Sequence, residues 1–446
     1  MYLNHHMRTL LTHAETEPFQ YLHDVATSDM RPEPLRIVDL DEPLFAPEIA
    51  DMMRAGGEVG ASIELTPDAL MSQARAETGL DDFGFDPTFV ERVDTLLCAL
   101  RDEANLSAFG KVTTSVQLVQ LLKNRLLLHD LLEHHPEIHD IEIVAPIVIA
   151  GLPRTGTTHL HNLLAADPNL RTLPYWESLE PVLAAIEQPA QGEPDPRLAR
   201  TEAGLAFLES AAPHFKRMHE MTVDHVHEEI QLMAIDFSSM LFETTAPMPN
   251  WRDYYLAHDQ TPHYEYLKTV LKVLTWLRGA DRWLLKSPQH IEQFGPLLDV
   301  FPDAIVLVTH REPVAVTVSM CTMIAYTARL HLETVDPRQI GTYWADRIER
   351  MLATCTRDRD LLPANRSLDI RFDQFMADDI GTIEHIYQLA GQPFGRSTHD
   401  VITAYCAQHP RGRHGGLIYD IADFGLDAGE RQNALTTYTE RFLATS

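Results

Sequence analysis

A short loop of glycine, threonine and arginine separates an apolar segment from an amphipathic one, and its residues are suited to holding an anion. It reads Gly151-Leu-Pro-Arg-Thr-Gly-Thr-Thr158. The backbone amides of residues 154–158 can turn into one concavity, and a helix starting there adds the positive end of its dipole. Gly156 permits a ligand to approach the backbone closely. The side-chain donors are one cation and three hydroxyls, from Arg154, Thr155, Thr157 and Thr158. The pattern predicts a phosphate-binding loop.

The loop differs from that of nucleoside triphosphatases at one informative position. Those loops read G-x-x-x-x-G-K-[ST], and their lysine reaches the terminal phosphates. Here the spacing is kept, but Thr157 replaces the lysine and the cation moves to Arg154. The apolar run Ala304–Thr309 also leads into His310 and Arg311 instead of a magnesium-binding aspartate. A smaller anion bound without metal therefore suits the loop better than a metal-bridged triphosphate.

The elements that position this loop are predicted from hydrophobic periodicity. Short continuous apolar runs are typical of strands buried on both faces of a parallel sheet. The predicted strands are Pro146–Ala150, Arg282–Lys286, Ala304–Thr309 and Ser367–Arg371. Helical periodicity occupies Thr157–Ala166, Val226–Leu241, His263–Leu277, Pro313–Leu330, Tyr343–Thr356 and Ile380–Ala390. Alternating strands and helices predict the α/β class, with a parallel sheet flanked by helices over residues 141–446.

Residues 1–140 form a separate predicted region, which is helical. Its amphipathic segments are Ser62–Thr78, Pro87–Leu106 and Val116–His134, and Pro136 ends the last of them. Their leucine stripes indicate core packing. Nothing in this region points to chemistry of its own.

Composition narrows the possible partners and the compartment. The 446 residues include 36 lysines and arginines against 65 aspartates and glutamates, a net charge of −29. Such a protein repels polyanions, so we expect no nucleic-acid polymer as partner. The four cysteines form no CxxC pair, and residues 143–152 are too short an apolar run to span a bilayer. We therefore expect a cytoplasmic protein with no transmembrane segment and no metal site.

Two motifs give the chain a family resemblance. Pro153-Arg-Thr-Gly-Thr-Thr158 resembles the 5′-phosphosulfate loop of sulfotransferases that use 3′-phosphoadenosine 5′-phosphosulfate (PAPS). In these families an arginine after a central strand and a serine eight residues later hold the 3′-phosphate, and Arg311 and Ser319 match both residues and spacing. A looser match lies in His409–Gly416, where Arg411, Gly412 and Arg413 resemble a C-terminal segment that closes over the 3′-phosphate.

The resemblance implies a P-loop sulfotransferase fold and a defined reaction. The expected enzyme transfers a sulfuryl group from PAPS to a hydroxyl, or an amine, of a small or lipid-like acceptor, leaving adenosine 3′,5′-bisphosphate. Two alternatives stay open from the residues alone. One is a P-loop kinase or NTPase, and the other is a non-catalytic nucleotide-binding protein of the same fold.

Catalytic candidates follow from the same comparison. Lys286 ends a predicted strand, and it resembles the lysine that contacts the sulfuryl bridge in cytosolic sulfotransferases. Pro288, however, occupies the place of their catalytic histidine. His290 and Glu177 are equal candidates for the base, because a histidine or a buried carboxyl of raised pKa suits proton removal at neutral pH.

A third candidate for the base is a cluster on the predicted helix Val226–Leu241. Its members are His225, His227, Glu228 and Glu229. The aromatic and methionine-rich stretch Met233–Tyr266 is the predicted acceptor pocket, since an apolar cavity suits a phenol, a steroid or a lipid.

Overall fold

Four parallel strands form the central sheet of the computed structural model, which describes residues 32–444. They are β1 (Ile147–Ala150), β2 (Leu284–Ser287), β3 (Ile305–His310) and β4 (Ser367–Arg371). The strand order is β2-β1-β3-β4. Ile149 of β1 pairs with Lys286 on one side and with Leu307 on the other. The sheet confirms the predicted α/β class, and the carboxyl ends of its strands meet at one edge.

Burial explains why the strands form where they do. Every residue of β1, β2 and β3 is buried, as expected for strands covered by helices on both faces. β4 is an edge strand, and it mixes buried and part-exposed positions. The continuous apolar runs in the sequence therefore located the two inner strands, β1 and β3, directly.

Helices cover both faces of the sheet and build the N-terminal region. The α-helices of the described residues are α1 (Pro47–Gly60), α2 (Pro67–Thr78), α3 (Phe89–Asp102), α4 (Ala108–His134), α5 (Thr157–Ala165), α6 (Tyr175–Leu179), α7 (Pro196–Ala211), α8 (Ile230–Ala234), α9 (Pro249–Ala257), α10 (Thr261–Arg278), α11 (Phe294–Val300), α12 (Pro313–Ala328), α13 (Pro337–Asp358), α14 (Phe372–Ala377), α15 (Asp379–Ala390), α16 (Arg396–Gln408), α17 (Ala428–Ala434) and α18 (Thr436–Phe442). Short 3₁₀ helices lie at Pro136–Asp140, Ala185–Glu187, Phe215–Arg217, Met240–Thr244, Pro288–Glu292, Arg359–Leu361 and Ile421–Phe424. Within residues 32–444, no helix is both long and apolar enough to cross a membrane.

The N-terminal helices share a core with the α/β domain. Leu96 of α3 and Leu122 of α4 belong to the same buried cluster as Val148 of β1. A buried ion-pair network reinforces this packing, because the carboxylate of Asp236 accepts from the guanidinium groups of Arg92, at 2.7 Å, and Arg125, at 2.5 Å. The helical character predicted for residues 1–140 is confirmed where the structure describes it, and residues 1–31 lie outside that part.

One predicted helix is wrong. Val226 does not begin a helix but forms an isolated antiparallel bridge with Pro174. The helix α8 that follows has five residues, and Phe237 then takes a left-handed conformation with φ of 54°. A side chain at positive φ cannot continue a right-handed helix, so the periodicity of residues 226–241 reflects burial in irregular backbone.

Candidate functional site

The loop after β1 is held in a strained, closely packed turn. Gly151 admits no side chain, because an added Cβ would lie 2.0 Å from the hydroxyl oxygen of Thr309. Arg154 and Gly156 both have positive φ, 74° and 91°, and together turn the chain into α5. This conformation is uncommon for a residue with a side chain, and strain of this kind persists where surrounding contacts enforce it.

Contacts from two other segments hold Arg154 in place. Arg311 Nη1 donates to the backbone carbonyl of Arg154 at 2.6 Å. Arg154 Nε in turn donates to Ser319 Oγ at 3.0 Å, and its Nη1 donates to the carbonyl of Met218. The two motifs singled out in the sequence are therefore joined by hydrogen bonds. Ser319 is buried and reaches the site through Arg154.

Thr155 has a positioning role in this loop. Its hydroxyl donates to the Leu152 carbonyl at 2.7 Å and lies 2.6 Å from Thr309 Oγ1. Its backbone N–H also points at the Leu152 carbonyl, at 3.3 Å. The hydroxyl and the N–H of Thr155 are thus both used in hydrogen bonds within the protein. Gly156, Thr157 and Thr158, by contrast, line the space in front of the loop. The first amides of α5 have no carbonyl partner within the helix, so they are available to an anion.

A cleft of about 370 Å³ opens in front of the loop, and cations dominate its lining. Six cationic side chains converge there from four chain segments: Arg154, Lys216, Arg217, Arg311, Arg411 and Arg413. Glu220 is the one carboxylate among the described residues that line it. A protein with a net charge of −29 therefore concentrates positive charge at the N-terminus of α5.

Arg311 is oriented by an aromatic ring as well as by the loop. Its guanidinium carbon lies 4.2 Å from the ring centroid of Phe372, a cation–π contact. Burial, and next the neighbouring Arg154, lower the pKa of Arg311 from its usual value. The guanidinium keeps its charge at neutral pH, and an anion placed between these arginines would relieve their mutual repulsion.

The C-terminal segment closes one side of the cleft. Gly412 and Gly415 both have positive φ, which turns the chain tightly over residues 411–415. Glu220 accepts hydrogen bonds from Arg413 and lies 3.1 Å from His414 Nε2. Burial opposes the charge on Glu220, but these partners outweigh it and lower its pKa. Of the two cations that the sequence assigned to a phosphate, Arg413 thus pairs with Glu220, and Arg411 pairs with Asp379.

Lys286 lies behind the cleft in a group of histidines. Its ammonium is buried and donates to the carboxylate of Glu228. Burial is the largest cause that lowers the pKa of four neighbouring imidazoles, and Lys286 contributes to each, after a neighbouring histidine in the case of His219 and His227; the four are His161, His219, His225 and His227. Each ring is therefore neutral at pH 7.

His225 is the member of this group that lines the cleft. Burial and Lys286 lower its pKa to about 4. Both of its ring nitrogens are buried, and among residues 32–444 neither has a hydrogen-bond partner. A neutral, unpaired imidazole beside a cleft can accept a proton from a hydroxyl group that a small side-chain movement brings within reach.

The two residues ranked first as base lie elsewhere. Both oxygens of Glu177 accept from Arg171, at 2.9 and 2.7 Å, and Arg278 donates to the same carboxylate. His290 is fully buried between Glu229 and Tyr264, and each of its ring nitrogens lies 2.6 Å from one of these partners. Neither is among the described residues that line the cleft. Glu177 and His290 are thus buried and paired, whereas His225 of the third cluster borders the cleft.

The predicted acceptor stretch is also mostly core. Phe237, Phe242 and Trp251 pack against one another, with ring centroids 5.8 and 5.5 Å apart, and are buried. Tyr254 and Tyr255 line a different cavity, of about 640 Å³, between α10 and the N-terminal helices. Most of the aromatic residues in 233–266 therefore belong to the buried core, and none of them lines the cleft.

Sequence reasoning missed the segment Lys216–Glu220. It brings Lys216, Arg217, His219 and Glu220 to the cleft and its border, although it contains no recognisable motif. The one signal in the sequence was the pair of adjacent cations, Lys216 and Arg217, in a chain that is otherwise strongly acidic.

Comparison with known proteins identifies the family of this chain. The model of the sulfotransferase family matches residues 146–396, more than half of the chain. The omega-hydroxy-beta-dihydromenaquinone-9 sulfotransferases Stf3 of Mycobacterium bovis and Mycobacterium tuberculosis are each 24% identical over 264 residues. That alignment covers 55% of this chain and 62% of the length of these curated relatives.

Solved structures agree in fold. Sulfotransferase STF1 from Mycobacterium tuberculosis H37Rv superposes with a TM-score of 0.72 at 28% identity, covering 82% of this chain and 97% of that one. Sulfotransferase STF9 from Mycobacterium avium gives a TM-score of 0.76 at 24% identity, covering 86% and 98%. The resemblance that the loop and Arg311–Ser319 suggested is confirmed. By its family match and its fold, the chain belongs to the sulfotransferase family.

Proposed function

We propose that this protein transfers a sulfuryl group from PAPS to the hydroxyl of a lipid-like acceptor. The observation that carries the proposal is the convergence of Arg154, Arg311, Arg411 and Arg413 on the N-terminus of α5. These cations come from segments far apart in the sequence, and they gather in one cleft of an acidic protein. A multiply charged small anion is the ligand that such a cleft suits.

The donor groups match the two ends of PAPS. The free amides at the start of α5, with Thr157, Thr158 and Arg154, would hold the 5′-phosphosulfate. Arg311 would hold the 3′-phosphate together with the segment 411–413, and Ser319 would act through Arg154. PAPS supplies a sulfuryl group whose leaving group is a phosphate oxygen. No lysine or magnesium-binding aspartate takes the place expected in a kinase, which disfavours that alternative.

His225 is the proposed catalytic base. Its neutral ring accepts the proton of the acceptor hydroxyl while the acceptor oxygen forms its bond to sulfur and the bond from sulfur to the phosphate oxygen breaks. The proton then rests on the imidazole of His225, and the leaving oxygen keeps the electron pair. Lys286, held by Glu228, supplies positive charge behind the site.

Two further points concern the acceptor and the compartment. The Stf3 relatives are named for a hydroxylated menaquinone, which is an apolar molecule carrying a hydroxyl group. This supports a lipid-like acceptor for the present chain.

The four cysteines are free thiols, which supports the cytoplasm as the proposed compartment.

Calorimetry with adenosine 3′,5′-bisphosphate tests the proposal directly. We expect magnesium-independent binding, with ADP bound at least tenfold more weakly because it lacks the 3′-phosphate. Incubation with ³⁵S-labelled PAPS and a lipid extract should then label an organic-soluble product. Absence of bisphosphate binding would overturn the assignment, and binding without any labelled product would favour the non-catalytic alternative.

A further inference from the structure

A second groove lies beside the cleft, along α7. It has a volume of about 490 Å³ and lies between α7 and the segment that follows that helix. Its apolar lining includes Leu205, Ala206, Leu208, Phe215, Met221 and Val223. α7 buries only Thr201 and Ala211 completely, so the helix leaves much of its apolar surface accessible to a ligand. A groove of this composition suits a hydrocarbon.

The groove opens onto the PAPS cleft. Lys216, Glu220 and His414 line both cavities. A ligand lying in the groove can therefore extend past these three side chains into the cleft. This continuity separates it from the larger cavity at Tyr254 and Tyr255, which shares no lining residue with the cleft among those the structure describes.

A row of rings leads from the groove to the proposed base. Phe215 stacks on His219 with their centroids 6.1 Å apart and their planes 2° apart. The His219 centroid lies 5.6 Å from that of His225. Burial, followed by the charges of His225 and Lys286, lowers the pKa of His219 well below 6.5. This row of rings is neutral at pH 7, which suits an apolar substrate, whereas the charged groups at the junction are Lys216 and Glu220.

We propose that this groove binds the apolar tail of the acceptor, a long aliphatic chain whose terminal hydroxyl reaches His225. The proposal rests on the proposed function, and it names the substrate class and the surface that selects it. The tail lies along α7 against Leu205, Leu208 and Phe215, and the hydroxyl passes His219 into the cleft.

The rim adds a charge preference. Glu202, Glu209 and Glu220 line the groove, and Lys216 is its one lysine or arginine among the described residues. Lys216 is already paired with Glu209 at 2.8 Å. An acceptor that carries a carboxylate at the far end of its chain would meet this acidic rim unfavourably. The groove therefore selects neutral alcohols over hydroxy fatty acids.

A chain-length series tests the tail site. Initial rates with ³⁵S-labelled PAPS are measured for the primary alcohols from 1-butanol to 1-dodecanol. Each methylene buried in the groove should lower KM about fourfold, until the groove is filled. We expect 12-hydroxydodecanoate to have a KM at least tenfold above that of 1-dodecanol. An equal KM for short and long alcohols, or no sulfation of any alcohol, would overturn the proposal.

Matched tryptophan variants locate the effect. Ala206→Trp fills the groove, whereas Ala199→Trp places the same side chain on an exposed position of α7 outside it. We expect the chain-length dependence to disappear in the first variant and to persist in the second. The same response in both variants would contradict the assignment.

Photo-crosslinking gives an independent readout. A dodecanol carrying a terminal diazirine, irradiated with adenosine 3′,5′-bisphosphate present, should label peptides within residues 202–223. Labelling at the cavity of Tyr254, or no labelling, would overturn the tail site. Calorimetric binding of the bisphosphate keeps the two proposals apart: if it is retained when the tail tests fail, the sulfotransferase assignment stands without this groove.

Discussion

Arg311 Nη1 donates a 2.6 Å hydrogen bond to the backbone carbonyl of Arg154, a residue 157 positions earlier in the chain. This bond joins the loop after β1 to the residue after β3, so the two motifs that are predicted to bind phosphate form one unit. It also braces Arg154 in its left-handed conformation. Arg311 therefore contributes both its own charge and the shape of the loop.

Replacing Arg311 should weaken the nucleotide site strongly. We expect Arg311→Ala to reduce the affinity for adenosine 3′,5′-bisphosphate about 10- to 100-fold, since a hydrogen bond to a charged group contributes about 1.5–3 kcal/mol. Isothermal calorimetry measures the change. Arg350→Ala is the control, because Arg350 is an exposed arginine of α13 paired with Asp346. Similar affinities for both variants would refute the placement of Arg311 in the site.

Removing the negative charge of Glu220 should strengthen binding. Its carboxylate pairs with Arg413 and His414 inside the cleft, so it competes with a bound anion for the same cations. We expect Glu220→Gln to raise the affinity for the bisphosphate about fivefold, corresponding to about 1 kcal/mol for a partly exposed pair. Glu58→Gln makes the same charge change on α1, and its affinity should match the wild type. Weaker binding by the Glu220 variant would show that the carboxylate positions Arg413 for the ligand.

Turnover should depend on His225 and not on the residues first ranked as base. His225→Gln should lower kcat about 10²- to 10⁴-fold, because general-base catalysis contributes on that order. Bisphosphate binding should stay unchanged. Glu177→Gln and His290→Gln should retain most of the turnover in the folded fraction, since both residues are paired away from the cleft. The opposite ranking in single-turnover rates would rule out His225 as the base.

The protonation of His225 should respond to Lys286. Burial and then Lys286 depress its pKa from 6.5 to about 4, so the ring is neutral above pH 5 and gains a proton below it. Removing the ammonium in Lys286→Gln should move the titration upward, although burial keeps it below 6.5. NMR of labelled histidine side chains follows this directly. A midpoint that is unchanged or lower would show that Lys286 does not act on His225.

Asp236 should anchor the N-terminal helices to the α/β domain. Burial raises its pKa, but His263, Arg125 and Arg92 outweigh that effect and hold the pKa below 3.8. The stability that this carboxylate provides is therefore present above pH 3.8 and is lost as the pH falls through its folded-state pKa. Asp236→Asn removes the paired carboxylate from buried Arg125 and leaves buried Arg92 with Asp86 alone, so it should cost about 3–5 kcal/mol in urea unfolding at pH 7.

The control for Asp236 is an exposed carboxylate. Asp51 pairs with Arg54 on the surface of α1, and Asp51→Asn should change the free energy of unfolding by less than about 1 kcal/mol. The difference between the two variants should shrink towards acid pH. A constant difference from pH 7 to pH 3 would mean that ionised Asp236 does not stabilise the fold.

The sequence by itself determined the sheet and the loop. Strands buried on both faces must be apolar throughout, so the runs at β1 and β3 were visible without tertiary information. The loop was equally visible, because a strand, a glycine turn and a helix N-terminus are adjacent in the chain. Gly156 and the donors around it bind through local backbone geometry, which local sequence encodes.

Only the tertiary structure decided the helix at residues 226–241 and which candidate bases are already paired. Local periodicity favoured a helix there, but Val226 pairs with Pro174 and Phe237 turns left-handed, since burial among distant partners outweighs weak local propensity. Glu177 and His290 had suitable chemistry, yet arginines, Glu229 and Tyr264 already satisfy them. His225 reaches the cleft with free nitrogens because the segments around it are folded together. A side chain's availability depends on partners remote in sequence, and spacing along the chain does not encode it.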